Sequence, residues 1–103
     1  MAGEVLQAFP RAGAALAQLI EETAARLGTN ALWLAAVINF ESGFNLRAKN
    51  PYSGATGLIQ FMPKTAERLG TTTSVIGEMD AGQQMDLVER YFAPYVGKLT
   101  SLQ

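Results

Sequence analysis

Between Gly28 and Gly43 lies "ALWLAAVI" (residues 31–38), a run without a single charge, and it limits the fold more than any other stretch. Thr29 or Asn30 suits the N-cap position ahead of it, and Gly43 supplies a left-handed stop behind it. A helix through about Ser42 is therefore expected. A helix that is apolar nearly all round belongs at the centre of a domain, so this one is expected to be the most buried element. The run leads into "FESGF" (residues 40–44), which raises a chemical question. Ionised carboxylates avoid apolar surroundings unless they are paired or useful, and Glu41 stands at the edge of the most apolar stretch in the chain.

The remaining sequence also reads as helices. In "RAGAALAQLIEETAARLG" (residues 11–28), Ala15, Leu16, Leu19, Ile20, Ala24 and Leu27 recur on one face, and Gly28 ends the pattern. "NPYSGATG" (residues 50–57) is rich in turn dipeptides, so residues 45–62 are expected to form an irregular loop or a small hairpin. Pro63 suits the first turn of a short helix ended by Gly70, and "TTTSVIGEM" (residues 71–79) reads as a connector. Asp80 and Gln83 have capping-box spacing, opening a helix from about Ala81 towards Leu99 that Pro94 should kink or end. No repeat or internal boundary is visible. The expectation is a single all-α domain over residues 1–103, with four or five helices and one long functional loop.

Composition removes several classes of function. The 103 residues include no cysteine and no histidine, which excludes disulfides, thiolate nucleophiles, Cys/His metal sites and His-based triads. No metal or cofactor pattern appears, and none is expected. Net charge is −1, with eight basic residues scattered along the chain, so neither a nucleic-acid face nor a membrane-inserting segment is expected. The N-terminus has no signal-peptide pattern. Acid–base chemistry would fall chiefly to carboxylates, or to Lys or Tyr.

Glu41 lies in the last turn of its helix, where unpaired carbonyls disfavour a negative charge. Apolar surroundings would act in the same direction. Together they favour the neutral acid, a suitable proton donor for breaking an acetal bond. On position alone, a solvated Glu41 where the helix surfaces is also open. Gln60, in "SGATGLIQFMP" (residues 53–63), offers a donor and an acceptor suited to a sugar amide, and equally suits an ordinary turn.

"ESGFN" (residues 41–45), followed by "NPYSGATGLIQFMPKTA" (residues 50–66), strongly resembles the catalytic core of soluble lytic transglycosylases. These peptidoglycan-cleaving enzymes have a goose-type, lysozyme-like fold. Their pattern is Glu-Ser, a short loop, then Ser-x-Gly-Ala-x-Gly-Leu-Met-Gln-x-Met-Pro with small variations. The resemblance covers about residues 28–70, and "QQMDLVERYF" (residues 83–92) matches the family's next helix more loosely. It implies Glu41 as the single catalytic acid/base, with Ser42 hydrogen-bonding near the scissile bond. Gly57, Leu58, Ile59 and Gln60 would line the groove, Gln60 contacting an N-acetyl group and Met62 packing beside the sugar. Ile59 stands where Met is common, an exchange that conserves volume. Tyr52, Ser53 and Tyr91 complete the expected substrate contacts; Phe44, Phe61 and Tyr95 are further aromatic candidates, and Trp33 reads as core.

The family's third motif, Ala-Tyr-Asn-Ala-Gly, does not occur. Either Tyr91 or Tyr95 takes the place of its tyrosine, a divergent motif follows in a longer parent protein of which this chain is a truncated part, or activity is impaired. The resemblance implies cleavage of the bond between N-acetylmuramic acid and N-acetylglucosamine, with a 1,6-anhydro product. Two alternatives stay open. One is lysozyme-type hydrolysis, with Asp80, Asp86 or Glu78 placing a water. The other is a non-catalytic wall-binding or structural module of a phage particle or secretion system. The expected partner is the glycan strand of the periplasm or cell wall, reached from a virion, by a dedicated export route or as part of a longer protein.

Overall fold

A computed structural model describes residues 3–96 of the chain. Six α-helices are present among them: α1 (Glu4–Ala8), α2 (Ala14–Leu27), α3 (Ala31–Ser42), α4 (Pro63–Arg68), α5 (Thr73–Ile76) and α6 (Ala81–Phe92). Short 3-10 turns at Pro10–Ala12 and Ala93–Tyr95 follow α1 and α6. The only β features among the described residues are isolated antiparallel bridges, Lys49 to Thr56 and Thr56 to Phe61. The all-α expectation holds.

Helix α2 buries Leu16, Ala17, Ile20, Thr23, Ala24 and Leu27, one face in the core; of the face read from the sequence, Leu19 is only partly buried and Ala15 is exposed, and Ala17 and Thr23 are buried with it. Gly28 ends it in the left-handed conformation, its N–H bonding the carbonyls of Ala24 and Ala25. Asn30 then caps α3, its side chain accepting from the Trp33 N–H. At α6, Asp80 accepts from the Gln83 N–H while the Gln83 side chain accepts from the Asp80 N–H, the reciprocal pair that the spacing predicted. Pro94 ends α6 early, at Phe92, and a 3-10 turn follows at Ala93–Tyr95 where the expected helix would have continued; residues 97–99 of that expected span lie outside the described residues.

Helix α2, not α3, is the central element. It packs against α1, α3 and α6, whereas α3 fully buries only Leu34, Ala35 and Ile38. On the outer side of α3, Ala36 is exposed and Phe40 is 87% exposed. The expectation that α3 is the central, most buried helix is therefore corrected. An uncharged run shows that a helix can be buried, but the number of neighbouring elements decides how much of it is.

Two further elements differ from the expectation. The connector over residues 71–79 contains α5, one helical turn capped by the Thr72 hydroxyl, which accepts from the Val75 N–H. The N-terminal residues form α1, whose Val5 N–H donates to the Glu21 carboxylate on α2 at 3.0 Å. That bond and the complete burial of Val5 hold a helix too short to persist alone.

Candidate active site

The site is built from the end of α3 and the irregular segment that follows it. Gly43 adopts φ 62°, and Phe44 follows with φ 66°. A left-handed phenylalanine is uncommon, and here its ring packs on Phe9, with centroids 5.7 Å apart. Two successive left-handed residues turn the chain sharply away from the α3 axis immediately after Glu41 and Ser42.

Glu41 is exposed, and it has no ion-pair partner among the described residues. The apolar enclosure expected from the sequence is absent: the run before Glu41 turns its buried side towards α1 and α2, while the carboxylate faces solvent. Ser42 is half-buried, and its hydroxyl donates to the Ile38 carbonyl at 3.1 Å. Its oxygen retains acceptor capacity.

Residues 45–62 contain no helix or strand, yet their polar groups are densely paired. Asn50 Oδ1 accepts from the Tyr52 and Ser53 N–H groups, and Ser53 Oγ accepts from the Ala55 N–H. Thr56 and Phe61 exchange both backbone hydrogen bonds, at 3.0 and 2.8 Å, and so close a small hairpin around Gly57, Leu58, Ile59 and Gln60. The small-hairpin expectation is met by these bridges alone. Gln60 sits at φ 57°, a second non-glycine left-handed residue at the site. Its side-chain amide donates to the carbonyls of Ala48 and Gly57, at 3.2 and 3.0 Å. Both amide hydrogens are thus engaged within the loop, and Oε1 is the atom left for a sugar amide N–H.

The expected groove residues separate into two groups. Ile59, Gln60 and Met62 line a cleft of about 60 Å³ with Phe61, Thr65 and Tyr91. Met62 is 47% exposed and Tyr52 97% exposed, both available to a ligand. Leu58 is fully buried, so its side chain belongs to the core and cannot line a groove; this expectation is corrected. Gly57 is buried as well, and its positive φ of 87° suits glycine. Phe61 is core, with Tyr91 edge-on at 6.3 Å, and Trp33 packs edge-on against Phe92 at 5.6 Å. Glu41 is not among the lining residues of this cleft.

One residue central to the site was missed. Gln84 on α6 is fully buried, and its Oε1 accepts from the Leu58 N–H at 2.9 Å. Its amide donates to the carbonyls of Leu46 and Ile76, both at 2.9 Å. A Cβ on residue 57 would lie 2.6 Å from Gln84 Oε1, which requires glycine there a second time. Gln84 thus joins α6, the end of α5, the segment leaving α3 and the motif hairpin. Its adjacency to Met85, Leu87 and Val88 on the buried face of α6 was the available signal. Arg47 adds a second tie, donating to the carbonyls of Gly77 and Met79 at 2.7 Å.

Asp80 is occupied by its cap, while Glu78 and Asp86 are exposed. Among the described residues no group of His, Cys, Asp or Glu is arranged to hold a metal ion, and no helix is long and apolar enough to cross a membrane.

No solved structure matches the chain. The sequence model of the transglycosylase SLT domain matches residues 18–86, from the middle of α2 through Gln84. That match takes in Glu41, the motif hairpin and Gln60, and stops short of Tyr91. It spans more than half of the chain, and the chain therefore belongs to the transglycosylase SLT domain family, whose function is of the lytic transglycosylase type, directed at peptidoglycan.

Proposed function

We propose that the domain cleaves the β-1,4 bond between N-acetylmuramic acid and N-acetylglucosamine, with Glu41 as its single acid and base. The observation that carries this reading is the exposed carboxylate of Glu41 on the last turn of α3, inside the region matched by the family model. The chain leaving that turn is clamped at Leu46 by Gln84 and at Ala48 by Gln60. A reacting group next to an ordered backbone can hold its geometry while the glycan binds.

Glycosidases that hydrolyse usually need two carboxylates, the second acting as nucleophile or as base for water. One carboxylate suffices when the substrate supplies the nucleophile. Protonated Glu41 gives its proton to the glycosidic oxygen, and the bond to the muramic anomeric carbon breaks. The muramic 6-hydroxyl oxygen then bonds to that carbon, and the Glu41 carboxylate takes the hydroxyl proton. The atoms balance without water, and the product is a 1,6-anhydro sugar. Because Glu41 is exposed in the free protein, its desolvation comes with the bound glycan. Gln60 Oε1 suits an N-acetyl N–H, Met62 and Ile59 an apolar sugar face, and Tyr52, Ser53, Ser42 and Tyr91 further contacts. The reaction would take place at the periplasmic or cell-wall glycan, reached from a virion, by dedicated export or within a longer protein.

The test is incubation with purified peptidoglycan, with the soluble products read by mass spectrometry beside Glu41→Gln. Muropeptides lighter by one water and lacking a reducing end are the expected result. Reducing muropeptides would replace transglycosylation with hydrolysis. Equal release by Glu41→Gln would remove Glu41 as the catalyst, and no release by either protein would favour a wall-binding module.

A further inference from the structure

We infer that a second cleft, beside the motif groove, binds the free carboxylates of the stem peptides carried by the glycan. The inference rests on the peptidoglycan reading above and extends it from the sugar to its substituent. The cleft has a volume of about 150 Å³ and lies between α4 and the end of α6. It shares Thr65 and Tyr91 with the smaller cleft formed by Ile59, Gln60 and Met62, so a ligand can cross from one to the other along the Tyr91 ring. Arg68 and Arg90 stand on its walls, and no acidic residue lines it.

Both arginines are exposed, and neither has an ion-pair partner among the described residues, where the one ion pair joins Arg26 to Glu89 at 2.9 Å. Arg90 is held in place: its Nη2 donates to the Leu69 carbonyl at 2.9 Å, leaving other N–H groups of the fork for a ligand. Arg68 is tethered only by a 3.4 Å contact from Nη2 to Thr65 Oγ1. Guanidinium forks pair with carboxylates in bidentate geometry, so the cleft presents a carboxylate receptor, with Tyr95 as an aromatic flank. In a chain of net charge −1, two arginines facing one cleft without an ion-pair partner among the described residues form a local field opposite in sign to the whole. Because the two clefts share Thr65 and Tyr91, a substituent of a glycan seated on Gln60 and Met62 has this cleft within reach. Stem peptides carry free carboxylates along and at the end of a short flexible chain, whereas the lactyl group of the muramic ring is blocked by the first amide of the stem.

The test compares three glycan preparations with the full chain: strands with free stem carboxylates, strands whose carboxylates are capped as methylamides by carbodiimide coupling, and strands stripped of stems by an amidase. Initial release of product and retention on the insoluble strands are both measured. The wild type is expected to favour free over capped strands by about fivefold, the scale of an exposed charge pair. Arg68→Gln should treat the two preparations alike, with an unchanged unfolding midpoint. Arg90→Lys, which keeps the charge but not the fork, should fall between. Equal wild-type handling of free and capped strands overturns the inference, as does a preference that survives Arg68→Gln. Stripped strands, which expose the lactyl carboxylate, should behave as capped ones; behaviour like free strands would overturn the stem assignment. No release from any strand, with an Arg68-dependent difference in retention, would overturn the catalytic reading and leave this one standing.

Discussion

The two halves of the candidate site invert the usual relation between regularity and order. The end of α3 is regular helix, yet Phe40 and Glu41 stand in solvent. Residues 45–62 have no regular element, yet they bury Leu58 and Phe61 and satisfy their backbone through Asn50, Thr56, Gln60 and Gln84. The helix end depends on intrahelical bonds, including that of the Ser42 hydroxyl to Ile38, and leaves the Phe40 and Glu41 side chains in solvent. The loop uses its side chains to hold itself and so needs a specific sequence at almost every position. A motif in such a loop records the loop's own hydrogen bonding as much as any contact with a ligand.

The largest expected effect separates the halves by kind. Glu41→Gln should lower release of soluble fragments by roughly 10²–10⁴-fold, the range for loss of a general acid and base. The unfolding midpoint should not move, because Glu41 is exposed and has no ion-pair partner among the described residues. Parallel loss of activity and stability would mean that the helix end is as tightly built as the loop.

In the loop, substitution should act first on stability. Gln84→Leu leaves the Leu58 N–H and the Leu46 and Ile76 carbonyls without their partner in a buried place. At roughly 1–3 kcal/mol for each unsatisfied buried group, and with some rescue by water, a loss of about 3 kcal/mol is expected in urea unfolding. Gly57→Ala should cost about 2 kcal/mol, from the left-handed backbone and from the approach of its Cβ to Gln84 Oε1. A change under 0.5 kcal/mol in both would show that the hairpin is not held from α6.

What could be read in advance follows the range of each interaction. The Asp80–Gln83 cap, the Gly28 and Gly43 stops and the Asn30 cap are local, and their signals lie within a few residues of the bonds they make. For Gln84 the local pattern offered only its place on the buried face of α6; two of its partners, Leu58 and Leu46, lie 26 and 38 residues away, so its role in the site had no local signal. Helix α1 depends on Glu21, 16 residues on, and α5 is too short to show a period although its Thr72 cap was present. The motif put Glu41 and Gln60 forward as candidates but concealed how each is placed. Leu58 stands among expected groove residues in sequence, yet its side chain is fully buried, because its N–H is drawn to the buried Gln84 on α6.

The buried face of α2 offers a smaller effect of opposite sign. Thr23 is fully buried, and its hydroxyl has no hydrogen-bond partner among the described residues. An unmade bond of this kind is a net cost, and valine has nearly the same shape. Thr23→Val should raise stability by about 1 kcal/mol, seen as a higher urea midpoint at unchanged slope. A loss would mean that the hydroxyl has a partner in solution, such as a bound water.

The smallest expected effect bears most directly on the contrast between the halves. Phe40 is 87% exposed and directly precedes Glu41, so removing its ring takes away almost no packing. Phe40→Gln should change the unfolding free energy by less than about 0.5 kcal/mol, the usual range for a surface position. The opposite outcome has a clear size as well, because truncating a packed phenylalanine costs about 3–5 kcal/mol. A loss approaching that range would mean that the outer side of α3 is covered in solution. Glu41 would then lie beside an apolar contact, as the uncharged run before it first suggested, and the two halves of the site would differ in regularity alone.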